Sequence, residues 1–301
     1  MQAGVEAGLD IRSEEDRWNK LQNRVYEARI CEAFELFRRN GIEPIMIKGW
    51  AAARVYPAEH IRPYSDIDLG VSVSDHDKAR KILEDENAKK LNIDLHREFR
   101  HLDTLDWERL LGDSVLVALN GTEVRLPAAE DHLRILCIHW LSDNGANRER
   151  LWDIYYAVEN RGPLFDWDRC LNVVSDVRRG WIIQTLMLAQ KYLGLNLSAF
   201  PLRNEERSIP RWLTESLEKE WRENVPLRPI HGTLHSWSSF RAQIRKRFPP
   251  NPIFATIDCE GAFDEGSRLP YQMKSILRRI PTAIRRTALT LRAGREKSER
   301  S

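Results

Sequence analysis

Two aspartates, Asp66 and Asp68, stand one residue apart in the otherwise apolar run SDIDLGVSV. Residues at i and i+2 of a β-strand point to the same side of the sheet, so the two carboxylates are predicted to lie close together. Carboxylates at that spacing repel each other, and a divalent cation that prefers oxygen ligands removes the conflict. Ile67 and Leu69 point the other way, toward the core. The pattern therefore predicts a metal-binding site on a buried strand.

A third carboxylate is expected from the next predicted strand, LNIDLHREF, where Asp94, His96 and Glu98 share one face. Three carboxylates that hold two cations about 3.5–4 Å apart stabilise the attacking and leaving oxygens of an in-line displacement at phosphorus. We expect Asp94 to be the third ligand, with Glu98 as its alternative on the same face. The alternatives for His96 are to orient a carboxylate, to contact an acceptor or to make a structural hydrogen bond.

A possible phosphate turn precedes the aspartates. In the stretch MIKGWAAARVY, a short strand is predicted to end at Gly49, where a helix opens. Backbone amides at such a turn bind phosphate, and Lys48 adds a compact positive charge beside them. The alternative for all these residues is a strand end whose lysine and carboxylates are simply solvated.

The surrounding sequence predicts a small mixed sheet flanked by helices. A helical pattern over residues 14–40 ends at Gly41, which is typical of a helix C-terminus. The stretch DHDKARKILEDENAKK predicts a polar helix capped by Ser74 or Asp75. Further on, the pair Asn120-Gly121 between two β-branched runs predicts a hairpin.

After Pro127 the sequence becomes a succession of helical patterns joined by short linkers. We therefore predict an α+β protein with a catalytic domain over residues 1–127 and a mainly helical domain over 128–301. On the first of these helices, His132 and His139 lie seven residues apart and are expected to pack with satisfied imidazoles. Arg150 and Asp153 form either a buried ion pair or a polar surface in the cleft between the domains.

Composition limits the class of protein. The 301 residues are 42% hydrophobic and 31% charged, and no apolar run approaches the ~20 residues of a spanning helix. The opening residues lack the pattern of a secretory signal, so a cytoplasmic protein is expected, with its four scattered cysteines as free thiols. From residue 266 onward there are ten Lys and Arg against two Asp and Glu, and before it 37 against 43. This basic tail is expected to dock on the acidic body, and binding to RNA, anionic lipid or an acidic partner is the alternative.

Taken together, the strand, glycine turn, helix, D-x-D strand and third aspartate resemble the nucleotidyltransferase superfamily of DNA polymerase β. More narrowly, four stretches are similar to a bacterial family of uncharacterised nucleotidyltransferases, over roughly residues 25 to 195. These stretches are IKGWAAARVYPAEHIRPYSDIDLGV, IDLHREF, AAEDHLRILCIHWL and RLWDIYYAVENRGPLFDWDRCL.

The resemblance implies roles for individual residues. Asp66 and Asp68 would bind both metals, Asp94 would ligate the catalytic metal and draw the acceptor's proton, and Gly49 would approach the nucleotide phosphates. The residue after the glycine, usually Ser or Gly in the superfamily, is Trp50 in this chain. Other side chains are therefore expected to bind the phosphates. His96 and Asp153 are assigned either to contact the acceptor or to support the residues of the site. The other nucleotide-binding candidates are Lys48, Arg54, Arg62 and Ser65.

The expected activity is transfer of a nucleoside monophosphate from a nucleoside triphosphate, with Mg²⁺ or Mn²⁺, to a hydroxyl or phosphate of an acceptor bound between the two halves. A small molecule or peptide acceptor is favoured over nucleic acid because the catalytic half is not basic. One alternative is a non-catalytic binding protein of the same fold, which Trp50 favours. The other is a tailoring enzyme with a nucleotide-sugar donor, although a glycosyltransferase fold needs more strands before its D-x-D.

Overall fold

The computed structural model describes residues 3–99, 101–198, 200, 208–223, 225 and 236–279. A helical segment over residues 269–279 completes the described chain. The predicted basic helical pattern near 271–293 is thus described only as far as residue 279, and the rest lies outside the described residues. The earlier elements, in chain order, are α1 Ala3–Arg39, β1 Ile45–Met46, α2 Trp50–Ala53, β2 Ile67–Val71, α3 Val73–Ile82, α4 Glu86–Lys89, β3 Ile93–Arg97, α5 Trp107–Asp113, β4 Val115–Leu119, β5 Thr122–Leu126, α6 Ala129–Ser142, a 3₁₀ turn Arg148–Arg150, α7 Leu151–Glu159, α8 Trp167–Asn172, α9 Asp176–Leu193, α10 Arg211–Glu223, α11 Trp237–Arg247 and α12 Pro252–Asp258.

The sheet that carries the aspartates has the strand order β1-β2-β3. Strand β1 is antiparallel to β2, and β2 is parallel to β3. All five residues of β2 are buried, and Ile67 and Leu69 are fully enclosed in the core, as the alternating pattern predicted. In this register Asp68 lies opposite Asp94, so the two predicted ligands come from neighbouring positions of adjacent strands.

Gly70 lets an aromatic ring lie against the polar face of β2. A β-carbon at Gly70 would lie 2.1 Å from Cζ of Phe99, far inside van der Waals contact. Since Gly70 follows Asp68 by two residues, the Phe99 ring covers the same face of the strand. The polar groups on this face are thereby bounded by an apolar wall.

The flanking elements confirm the local predictions. Helix α1 buries Ile30, Phe34 and Phe37 in the core and ends before Gly41, whose φ of 67° is the left-handed conformation of a helix C-cap. Strands β4 and β5 form the predicted hairpin, in which Asn120 and Gly121 both have positive φ, as a type I′ turn requires.

The predicted cap of the next helix, Ser74 or Asp75, is wrong by two or three residues. The cap of α3 is Ser72, whose Oγ accepts the N–H of Asp75 at 3.1 Å, whereas Ser74 and Asp75 lie inside the helix. The extended backbone of Ser72, ψ 157°, continues directly from β2, so the chain turns into the helix sooner than expected. The predicted long helix also divides, because Asp85 caps the separate helix α4.

The chain divides into two compact units. The first comprises Met1–His139, Glu149–Ser175 and Leu186–Pro201, and it contains both sheets. The second comprises Trp140–Arg148, Asp176–Thr185 and Leu202–Ser301. The α+β class is confirmed, with helices following the sheet-containing N-terminal part. The functional division at residue 127 stays a prediction. In the part of the chain that the structure describes, no helix has the length and apolar character needed to cross a membrane.

Candidate metal and nucleotide site

Asp68 is the buried centre of the site. Its side chain is 2% exposed, and its Oδ1 lies 2.6 Å from Nζ of Lys48 and 3.1 Å from Nε2 of His96. Burial acts to raise the pKa of Asp68, but the hydrogen bond with His96 and the charge of Lys48 outweigh burial and hold this pKa below its usual value. Asp68 is therefore a carboxylate at neutral pH despite its burial.

Asp94 presents the second carboxylate from β3. Its side chain is 60% exposed, and its Oδ2 lies 3.5 Å from Nε2 of His96. One ligand atom each from Asp68, Asp94 and His96 fall within 4.8 Å of one another. The structure therefore brings two of the predicted carboxylates together with an imidazole, in a group small enough to hold one metal ion.

Asp66 lies just before β2, outside that group of three. Burial raises the pKa of Asp66, and the negative charges of Asp68 and Asp94 raise it further, against the charge of Lys48. The three predicted carboxylates thus repel one another electrostatically. A divalent cation with oxygen ligands relieves this repulsion, so the donor set fits the predicted metal.

Glu98, the alternative third ligand, is directed elsewhere. Strand β3 ends at Arg97, and Glu98 adopts a left-handed backbone with φ 52°. Its Oε1 accepts the N–H of Val73, at the start of α3, at 3.3 Å. Because the two-residue period stops at Arg97, the structure favours Asp94 over Glu98.

The glycine turn lies against the D-x-D segment. Gly49 has φ 60° and ψ −116°, and a β-carbon there would lie 3.2 Å from the backbone oxygen of Asp66. The helix that follows, α2, has only four residues, shorter than predicted, so its dipole contributes little to phosphate binding. The phosphate contacts assigned to the turn and to Lys48 stay predictions.

Arg62 and Asp153, predicted separately, form one buried ion pair. The two Arg62–Asp153 contacts measure 2.5 and 2.7 Å, and Tyr56 donates its hydroxyl to the same carboxylate at 2.6 Å. Arg62 also donates to the backbone oxygen of Gly49 at 3.1 Å. The pair therefore supports the glycine turn, and the nucleotide and acceptor contacts assigned to these residues stay predictions.

The remaining nucleotide candidates are arranged around the turn. Trp50 packs into the core, and the guanidinium of Arg54 lies 5.5 Å from the centre of its ring. The backbone oxygen of Ser65 accepts hydrogen bonds from Tyr26 Oη and, at 2.6 Å, from Asn92 Nδ2. Ser65 thus anchors the segment before β2 through its backbone, while its side chain is exposed.

A comparison of the sequence with known families decides the relationship. The profile of a family described as uncharacterised nucleotidyltransferases matches residues 10–194. The chain belongs to this nucleotidyltransferase family. No curated protein and no solved structure matches the chain. The matched range contains the glycine turn, the D-x-D strand, Asp94 and the Arg62–Asp153 pair, so the narrower resemblance, to the family of uncharacterised nucleotidyltransferases, is confirmed.

Two histidines of α6 lie near the residues of the site, His132 buried and His139 half-buried. His132 donates its Nε2 hydrogen to the backbone oxygen of Ile47 at 2.9 Å, which fixes the residue before Lys48. Burial lowers the pKa of His132 to about 4. The pKa of His139 is also lowered to about 4, first by burial and then by the charge of Lys48. Their seven-residue spacing predicted packing, but it gave no indication that His132 bonds to Ile47.

Proposed function

We propose that the protein transfers a nucleoside monophosphate from a nucleoside triphosphate to a hydroxyl or phosphate of an acceptor, with Mg²⁺ or Mn²⁺. One observation carries the proposal: Asp68 and Asp94 lie in register on parallel strands, and Asp66 repels both. Bound cations would neutralise the phosphate oxygens and stabilise the attacking and leaving oxygens in an in-line displacement.

The residues of the chain take different parts in this proposal. Lys48 and the Gly49 turn hold the phosphates, Lys48 through its charge and Gly49 through backbone that a side chain would obstruct. Asp94 takes the proton of an acceptor hydroxyl, a role that its exposed carboxylate supports because an acceptor can reach it. Asp66 and Asp68 hold the cations. Residues 1–127 form the catalytic domain in this proposal, and 128–301 the helical one.

A small molecule or a peptide is the favoured acceptor. Nucleic-acid binding relies on neutralising phosphates with Lys and Arg, and residues 1–265 hold 37 Lys and Arg against 43 Asp and Glu. This charge balance supports a smaller acceptor over an RNA or DNA end. The cytoplasm stays the expected compartment on the sequence grounds given above.

A second candidate function is non-catalytic binding by the same fold. The ion pair between Lys48 and Asp68 favours it, because a lysine ammonium 2.6 Å from the carboxylate already neutralises the charge that a metal would neutralise. Trp50, the residue that suggested this alternative, packs into the core instead of the phosphate turn. The two candidates differ in whether a triphosphate is consumed.

Label transfer separates the candidates. The protein is incubated with each of the four α-³²P-labelled ribonucleoside triphosphates, Mg²⁺ or Mn²⁺, and a fraction of small molecules and peptides as acceptors. We expect a labelled product with release of pyrophosphate, lost in Asp66→Asn and kept in Asp77→Asn, a control at a side chain that is 86% exposed. Transfer that persists in Asp66→Asn contradicts the proposed site. Triphosphate binding without consumption supports the non-catalytic candidate, and transfer only from labelled nucleotide sugars supports the tailoring enzyme.

A further inference from the structure

The imidazole of His96 is oriented toward the carboxylates of two strands. His96 follows Asp94 by two residues on β3, so both side chains stand on one face of the sheet. Its Nε2 lies 3.1 Å from Oδ1 of Asp68 and 3.5 Å from Oδ2 of Asp94, and the side chain is 13% exposed. The ring of His101 stacks on it, with centroids 5.8 Å apart and planes inclined by 23°. The ring is therefore held with Nε2 between two acceptor oxygens.

These distances suit ligands of a shared ion. A single N–H points at one acceptor only, yet Nε2 of His96 approaches oxygens of both Asp68 and Asp94. Adjacent ligand atoms on an octahedral ion with bonds of about 2.1 Å lie roughly 3 Å apart. One atom from each of the three residues falls within a 4.8 Å cluster, so a cation at its centre reaches all three after small side-chain shifts.

We propose that His96 is a direct ligand of the cation that Asp68 and Asp94 bind, and that its nitrogen makes the site prefer Mn²⁺ over Mg²⁺. The proposal rests on the cation site of the proposed function and deepens it. Mg²⁺ prefers oxygen ligands and retains water, whereas an imidazole nitrogen increases the affinity of first-row transition ions. The mixed donor set of two carboxylates and one imidazole therefore favours Mn²⁺ over Mg²⁺.

The test measures nitrogen coordination directly, without nucleotide. The full-length protein is loaded with one equivalent of Mn²⁺, and pulsed electron paramagnetic resonance records the coupling of bound nitrogen. We expect a ¹⁴N signal that changes to ¹⁵N when only histidine is labelled and that is lost in His96→Gln. The matched control is His76→Gln, at a histidine on α3 that faces Asp77, and this variant keeps the signal.

Ion affinities provide the second measurement. We expect His96→Gln to weaken Mn²⁺ binding at least ~10-fold, because loss of even an outer-shell partner costs that much. Mg²⁺ binding to the same variant falls less, so the Mn²⁺/Mg²⁺ preference of the parent decreases. Asp68→Asn abolishes the signal and identifies the site, since the ion loses its buried carboxylate.

Three outcomes overturn the inference: no Mn²⁺ binding, Mn²⁺ bound without histidine nitrogen coupling, and a preference unchanged in His96→Gln. In the second case His96 donates a hydrogen bond to Asp68 and only orients it. These results are distinguishable from failure of the proposed function, because no triphosphate is present. Nitrogen coupling without nucleotide transfer supports the role of His96 and contradicts the proposed function. Nucleotide transfer without nitrogen coupling supports the proposed function and contradicts the role of His96.

Discussion

Asp68 and Asp94 lie opposite each other on parallel strands, yet one side chain is 2% exposed and the other 60%. The buried carboxylate is held ionised by Lys48 and His96, and the exposed one is open to solvent. The strand register places the two carboxylates together, while their different burial gives them different access to solvent.

Removing the charge of Asp66 and removing that of Asp68 are expected to change stability in opposite directions. Asp66→Asn removes a charge that Asp68 and Asp94 repel, so the variant is expected to be at least as stable as the parent. Asp68→Asn leaves Lys48 and His96 without their ionised partner, at an expected cost of about 1–3 kcal/mol. Urea denaturation at pH 7.5 with a chelator measures both free energies of unfolding. The reverse order of stability would contradict the account of the site.

Gly49 is expected to be needed for nucleotide binding because it lacks a side chain, and not only because it adopts a positive φ. Gly49→Ala and Gly41→Ala both place a side chain at positive φ, which strains the backbone at either position. Only at Gly49 does the new β-carbon meet the backbone oxygen of Asp66, at 3.2 Å, whereas at Gly41 the nearest atom is 4.0 Å away. We expect triphosphate binding, measured by calorimetry, to be lost in Gly49→Ala and kept in Gly41→Ala. Equal loss in both variants would show that the turn has no special part.

The Arg62–Asp153 pair is expected to support the fold as a unit. Asp153→Leu and Arg62→Met each leave an uncompensated buried partner, and breaking such a pair costs about 3–5 kcal/mol. The double variant, Arg62→Met with Asp153→Leu, restores part of the lost stability because neither charge remains. A double-mutant cycle by urea denaturation checks this, and simple additivity of the two losses contradicts a coupled pair.

Stability is expected to fall as the pH decreases from about 6.5 to about 4. The folded-state pKa of His132 is lowered to about 4, and its ordinary value is 6.5. Between these pH values the histidine is protonated in the unfolded chain and neutral in the folded chain. The free energy of unfolding therefore decreases by up to ~1.4 kcal/mol per pH unit for each such histidine. His139 behaves in the same way.

Denaturation midpoints between pH 7.5 and 4 measure this slope in the parent and in His132→Gln. The variant is expected to be less stable at neutral pH, because Gln fits the hydrogen bond to Ile47 less well, and to lose stability less steeply on acidification. The control His76→Gln keeps the parent slope. An unchanged slope in His132→Gln would exclude this histidine as a source of acid sensitivity.

The sequence predicts the parts of the site that are encoded locally. The alternation of DIDL places Ile67 and Leu69 in the core, Asn-Gly specifies the hairpin, and glycine ends α1, because each depends on residues a few positions apart. Parallel pairing of β2 with β3 then brings Asp94 to Asp68. The alternation, the hairpin turn and the helix end follow from neighbouring residues alone, whereas the pairing of the strands follows from the fold.

The supporting contacts could not be predicted in the same way. Arg62 and Asp153 are 91 residues apart, and no spacing rule links an arginine before β2 with an aspartate on α7. Glu98 shares the period of β3 in the sequence, but a left-handed turn ends the strand before it. His132 is recognisable as an internal histidine, yet its partner at Ile47 follows only from tertiary packing.

The most direct test of the central claim is thermal unfolding with each of the four ribonucleoside triphosphates, with and without Mg²⁺ or Mn²⁺. A ligand at a hundredfold excess over its Kd stabilises the folded state by about 2.7 kcal/mol. We expect at least one triphosphate to raise the Tm only when the metal is present, and we expect Asp68→Asn to lose this increase while Asp77→Asn keeps it. No increase with any triphosphate, or an increase that Asp68→Asn retains, would contradict the central claim.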